Sequence, residues 1–222
     1  MSPAVHAARP GTVAQHAVEG LRRALTSGEL APGDKVRQEE IADALGVSLS
    51  PVREALAVLE QEGQVTYLPR RGYFVTELDM DDLREIYELR ALLEERAARR
   101  ALPLLEEDAL ERVAIAARDC ARAVDGGDVA AELEANRRFH FGLLESPGQN
   151  HTLRVIRLLW DSTETYRAMY YNAPEARQEA IAAHERIIDA ARAHDADRLT
   201  AELAAHRDEA LTRLERVLTE PR

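Results

Sequence analysis

From about residue 79 to the end, the chain repeats one pattern. Apolar side chains recur every three or four positions, and the runs are punctuated only by Pro103, Gly126-Gly127, Pro147-Gly148, Pro174 and Asp195. That period is the signature of amphipathic helices, and Pro and Gly at those points end one helix and begin the next. The spacing predicts helices over 79–101, 106–125, 128–145, 149–171, 174–194 and 196–218. Six helices joined by short turns bury their apolar stripes only by packing against one another, so this part is read as an antiparallel all-α bundle. Ala, Leu, Glu and Arg dominate it, and aromatic residues make up only 5% of the chain, a composition of stacked helices rather than sheets.

The first 76 residues follow a different grammar. Val13, Ala17, Leu21, Ala24 and Leu25 share one helical face between Thr12, an N-cap residue, and Gly28. A Pro-Gly turn leads to a short helix carrying Ile41, Ala44 and Leu45, stopped by Gly46. A third helix, with Ser48 or Ser50 as cap and Pro51 in its first turn, buries Val52, Leu56 and Leu59 and stops at Gly63. The tight turn between the second and third helices is the helix-turn-helix arrangement. QVTYL and GYFVT then read as a β-hairpin around Pro69-Arg70-Arg71-Gly72. The fold class is therefore mainly α, an N-terminal winged helix-turn-helix (1–77) followed by an all-α bundle of about six helices (78–222).

Net charge is −11, which argues against a nucleic-acid partner unless its distribution is uneven. It is uneven: residues 1–76 carry 8 basic and 9 acidic side chains, and the remainder 21 and 31. Of the basic residues only Lys35 is lysine. The third helix presents Ser48, Ser50, Arg53 and Glu54. Arg53 can reach guanine or phosphate, and the serine hydroxyls and helix N-terminal amides suit phosphates. Arg70 and Arg71 at the wing tip suit a minor groove or backbone, and Gly72 allows close passage. Leu49 stands out as an apolar residue at the start of this helix. A winged helix used against protein is the competing reading.

No run of about 18 apolar residues and no apolar signal core is present, so a cytoplasmic protein is expected. One cysteine, Cys120, allows no internal disulfide and no cysteine-based zinc site. Three of the seven histidines lie inside predicted helices among apolar neighbours: His140, His184 and His206. Asn136 stands four residues before His140, on the same helical face. Neutral imidazoles converging from three helices bind zinc or a similar divalent ion, while each alone reads more readily as a satisfied core histidine than as a ligand. His16, His151 and His194 read as surface or cap residues. Arg90 either pairs with a ligand carboxylate or forms an ion pair with Glu94. Tyr166 and Arg167 are further pocket candidates.

The order of these residues adds a resemblance. G28-ELAPGDKVRQEEIADALGVSLSPVREALAVLEQEG-63 followed by RRGYFV resembles the DNA-binding domain of the GntR family of bacterial transcription regulators. L89-RALLEERAAR-99, N136-RRFH-140, H184-ERIIDAARAHD-195 and His206 resemble the FCD effector-binding domain of its FadR-type branch. The resemblance implies a homodimer on operator DNA, most often a repressor, controlled by a small organic acid. It also implies a divalent metal at Asn136, His140, His184 and His206, where Asn136 replaces the more common Asp. Six bundle helices would fit the VanR-like subset. At Leu49 the family commonly has an operator-contacting arginine. A metal-dependent hydrolase built on the three histidines is the alternative from another class. No carboxylate but Glu185 stands near as a base, and no H-E-x-x-H, G-x-S-x-G or phosphate-binding glycine loop occurs.

Overall fold

The computed structural model describes residues 12–171 and 175–219. The N-terminal part holds α1 (Val13–Ser27), β1 (Lys35–Val36), α2 (Gln38–Leu45), α3 (Leu49–Gln61), β2 (Val65–Leu68) and β3 (Gly72–Val75). Thr12 caps α1 in a full capping box with Gln15, and Gly28 closes it in the left-handed conformation. Ala17, Leu21, Leu25, Val52, Ala55, Leu56, Leu59, Val65 and Val75 form one core. Leu56 and Leu59 are fully buried, so truncating either to alanine costs about 2–5 kcal/mol.

Two expected core positions are elsewhere. Val13 is 59% exposed because it opens α1 before that helix reaches its neighbours. In α2 the buried residue is Ala42, and Ala44 faces solvent, since an eight-residue helix offers too little length to fix its phase by periodicity. The hairpin stands as expected, with Val65 opposite Val75 and Tyr67 opposite Tyr73. A third strand, β1, adds to its other side, pairing Lys35 with Phe74 and Val36 with Tyr73. Two residues carry no alternation, so nothing in the residue pattern marks it.

The C-terminal part comprises α4 (Met80–Ala101), a 3-10 turn (Leu102–Leu104), α5 (Glu107–Gly126), α6 (Val129–Leu144), α7 (Asn150–Ser162), α8 (Glu164–Tyr171), α9 (Glu175–Arg192) and α10 (Ala196–Thr219). Asp79 starts α4 with a capping box and Gly127 ends α5 in the left-handed conformation. The main core lies between α4, α5, α6, α7, α9 and α10, around Phe139, Leu143, Ile156, Trp160, Ile187 and Leu199. Helices α5 and α6 approach so closely that a Cβ on Gly142 would stand 2.7 Å from Val113. A smaller core, Leu83, Tyr87, Leu133, Tyr166, Ala168 and Leu214, lies towards the winged helix-turn-helix.

The bundle therefore has seven α-helices among the described residues, not six, and the count that pointed to the VanR-like subset is replaced. The expected 149–171 helix breaks at Thr163 (φ −104°, ψ 4°). Neither Gly nor Pro marks this break. The hydroxyls of Ser162 and Thr163 donate to the Leu159 and Trp160 carbonyls, competing with the helical ladder. The expected break at Pro174 lies outside the described residues. No helix among those described is long and apolar enough to cross a membrane.

Candidate functional site

Two regions carry chemistry. On the winged helix-turn-helix, Ser48, Ser50, Arg53, Glu54, Arg70 and Arg71 are exposed, and Gly72 is partly so. Ser48 occupies the N-cap position of α3 without a side-chain cap bond, while Ser50 donates to Glu54 at 3.3 Å. Arg53 is steadied by Gln38, its Nε donating at 3.1 Å. Leu49 is half-buried and packs on the winged-helix core, as do Ile41, Leu45 and Val47. The apolar residue where the family commonly has arginine is thus held by packing.

The wing turn is a tight one, with the Arg71 amide donating to the Leu68 carbonyl at 3.0 Å. Pro69 precedes Arg70, whose φ of 63° places a non-glycine residue where such turns ordinarily carry glycine. A long cationic side chain kept at a strained position is a pattern found at functional sites. Arg71 stacks over Phe74, 5.0 Å from its ring centre. Lys35, which composition alone singled out, lies in β1 with its Cε 3.9 Å from where a Cβ on Gly72 would stand. It is a basic group at the wing that sequence reasoning missed, because β1 has no readable pattern.

The second region is inside the bundle. His140 on α6, His184 on α9 and His206 on α10 are all buried, and one ring nitrogen from each lies within 4.8 Å of the others. The His140 and His206 rings stack 5.2 Å apart, and His184 lies 5.0 Å from His206 and 5.7 Å from His140. Asn136, one turn before His140, is buried beside them. Its Oδ1 and both ring nitrogens of His184 lack hydrogen-bond partners among the described residues. Unpartnered buried polar atoms are costly and call for an explanation. Burial lowers the proton affinity of all three rings: His140 and His184 fall well below the usual imidazole range, and His206 drops to about 4. Neighbouring imidazoles add to the effect at His140 and His184. Neutral imidazole is the form that coordinates a metal.

Beside the histidines sits a buried charged network. Arg90 Nε donates to Glu94 at 2.8 Å, and Trp160 Nε1 donates to the same carboxylate oxygen at 2.7 Å. Arg207 approaches its other oxygen at 3.4 Å. Burial pulls the Glu94 carboxyl up, but Arg90, Arg207 and the Trp160 N–H together more than offset this and hold it below the usual range. The Trp160 ring lies between two guanidiniums, Arg90 at 4.3 Å and Arg167 at 4.4 Å, and 5.0 Å from His140. Of the two readings of Arg90, the ion pair with Glu94 is formed here, and one terminal nitrogen of Arg90 has no hydrogen-bond partner among the described residues.

Arg90, Asn136, His140, Arg167 and His206 border a common cavity of about 20 Å³, room for little more than one water. Asn136 and His184 border a second space of about 10 Å³. Tyr166 is not brought to the pocket. Its hydroxyl accepts from the Leu78 amide at 2.7 Å and donates to the Thr76 carbonyl at 3.5 Å, on the segment leaving the wing. Glu185 is exposed, one position off the inward face of α9.

Comparison with known proteins matches a family to each part of the chain. Residues 13–75 match the family described as bacterial regulatory proteins, gntR family, and residues 85–209 match the FCD domain. The transcriptional regulator YdhC of Bacillus subtilis is 25% identical over 201 residues, covering 90% of each chain. The regulator LutR of the same organism is 28% identical over 217 residues, 88% of this chain and 96% of its own. The solved structure of E. coli McbR/YncC superposes with a TM-score of 0.81 at 24% identity, over 93% of this chain and 99% of that one.

Proposed function

This chain belongs to the FCD-domain regulators of the gntR family, and from that premise we propose that a small organic acid, bound beside a divalent metal, controls its grip on operator DNA. Its family and relatives make it a DNA-binding transcription regulator and not an enzyme; nothing favours the hydrolase alternative. Residues 1–77 form the DNA-binding unit and 78–222 the effector unit. Ser48, Ser50, Arg53, Arg70, Arg71 and Gly72 carry the DNA contacts. Two such units, in a homodimer, read an inverted repeat. The protein acts as a repressor in the cytoplasm.

The observation that carries the sensing role is the cluster of three buried histidines whose nitrogens lie within 4.8 Å of one another. In a tetrahedral zinc site nitrogens at about 2.1 Å from the ion stand about 3.4 Å apart, so the rings need close by only an ångström or so. Asn136 Oδ1 is the fourth protein donor. A bound ion would supply a Lewis-acidic centre that takes an oxygen ligand by expanding beyond four-coordination. The residues of the chain do the rest: Arg90 faces the ligand's carboxylate, Arg167 and Trp160 wall the pocket, and the histidines are poised neutral. A 20 Å³ cavity does not admit an organic acid as it stands. Binding must therefore move the walls, and moving walls are what a sensor needs.

The test is to select a duplex from random sequences with the purified protein, then measure affinity against salt and with zinc plus a panel of small carboxylates. The reading expects steep salt dependence and a change in affinity with at least one acid that is lost in His184→Ala. Salt-dependent DNA binding that no acid alters, with or without zinc, would overturn the sensing role.

A further inference from the structure

The segment from Trp160 to Arg167 touches the buried pocket and the winged helix-turn-helix alternately. Trp160 lies in the pocket, held by Glu94 and between two guanidiniums. Asp161, the next residue, pairs with Arg137 at 2.6 Å in a cleft of about 420 Å³ that Arg22, Arg23 and Glu62 of the DNA-binding part also line. Ser162 meets Gly63, the residue at which the chain leaves the third helix: a Cβ on Gly63 would stand 3.1 Å from the Ser162 Cβ. After the break at Thr163, Tyr166 fastens the backbone at Leu78 and Thr76. Arg167 returns to the pocket, stacking on Trp160 and donating to its carbonyl at 3.3 Å.

A straight helix through Thr163 would leave its side chains on one continuous spiral. The break instead sets α7 and α8 at an elbow, whose inner residues hold the pocket and whose outer residues hold the exit of α3 and the segment after the wing. We infer that this elbow, Trp160 to Arg167, transmits pocket occupancy to α3, with Gly63 against Ser162 and Tyr166 against Leu78 as its two holds. The inference rests on the reading that a ligand enters the histidine pocket, and it names how that site is coupled. Coupling is reciprocal: a contact through which the pocket moves the DNA-binding part must also let that part alter the pocket.

The experiment perturbs the far end and reads the pocket. Trp160 is the chain's only tryptophan, so its emission in the full-length, chelator-treated protein reports the pocket alone. Gly63→Ala adds a methyl against Ser162 at a positive φ of 75°. Gly46→Ala, at a φ of 66° with nothing within 4 Å among the described residues, imposes the same backbone strain away from the elbow. The expected result is a shifted emission maximum in Gly63→Ala, none in Gly46→Ala, and recovery in Gly63→Ala/Ser162→Gly, where the strain remains but the collision is gone. Tyr166→Phe, which removes only the hydroxyl at the second hold, shifts emission in its turn and serves if Gly63→Ala does not fold.

Zinc titration into the same proteins separates the two readings. A change in zinc affinity of about fivefold or more in Gly63→Ala or Tyr166→Phe, absent in Gly46→Ala, supports the elbow. Zinc binding and emission that match wild type in every variant overturn it. No zinc binding in any protein overturns the metal reading instead, and the emission comparison still decides the elbow.

Discussion

Replacing Glu94 by glutamine removes a single negative charge from a place where three donors depend on it. Its two oxygens take Arg90 Nε at 2.8 Å, Trp160 Nε1 at 2.7 Å and Arg207 at 3.4 Å. The side chains of Arg90, Glu94 and Arg207 are all under a tenth exposed. Glutamine keeps the shape and can still accept from Trp160, so packing changes little. What is lost is the only carboxylate bonded to these two buried guanidiniums among the described residues, and removing one partner of a buried ion pair costs about 3–5 kcal/mol. For a helical unit of this size, about 2–4 °C of melting temperature accompanies each kcal/mol, so a drop of roughly 6–20 °C is expected. The neighbouring residue provides the comparison. Glu95 pairs with Arg99 at 3.0 Å, but their side chains are 55% and 41% exposed, so Glu95→Gln costs about 0–1 kcal/mol. Circular dichroism of both variants during heating and urea titration decides the matter. A Glu94→Gln transition within about 1 kcal/mol of the Glu95→Gln one would refute the reasoning that Glu94 neutralises the pocket wall.

Three further expectations concern separate parts of the molecule. Leu49→Arg adds a cation at the start of α3; in fluorescence anisotropy the slope of log affinity against log salt should steepen by about one per subunit, and an unchanged slope would show that position 49 does not face DNA. Arg70→Gly relieves the left-handed backbone at the wing tip, stabilising the winged helix by about 1–2 kcal/mol while lowering the salt slope by about one; a destabilised variant would contradict the turn geometry. The buried histidines set a pH dependence in metal-free protein. Their folded-state proton affinities are depressed, His206 to about 4 from an ordinary 6.5, so between those values the unfolded chain binds protons that the folded one refuses. Their contribution is present above about pH 6.5 and is lost as pH falls towards 4, which urea titrations at stepped pH will show and which His206→Phe should flatten.

How much of this was legible beforehand varies with the physical origin of each feature. Helices α4, α5, α6, α9 and α10 could be placed to within a residue or two, because apolar period, caps and Gly or Pro stops all agree along them. The break at Thr163 could not: Ser162 and Thr163 use hydroxyls to take carbonyls from the ladder, and the same residues sit quietly in many helices. Strand β1 exists only because β3 offers it an open edge. At the site, His140, His184 and His206 could be named as candidates from their apolar surroundings, and the structure brings their nitrogens together. The pairing of Arg90 with Glu94 was one of two readings the four-residue spacing allowed. Tyr166 illustrates the limit: it lies on α8 next to Arg167, yet its hydroxyl is claimed by Leu78 and Thr76, contacts some ninety residues away in sequence. Leu49 is explained only by a tertiary contact, its packing on the winged-helix core.

The claim on which the rest depends is that the three buried histidines hold a metal. Native mass spectrometry of the full-length protein, stripped with chelator and then given zinc, tests it directly. The account predicts one zinc ion per chain, carried on a dimer and absent in His184→Ala. A wild-type protein that stays metal-free under the same conditions would contradict it, and would make His140, His184 and His206 members of a polar core.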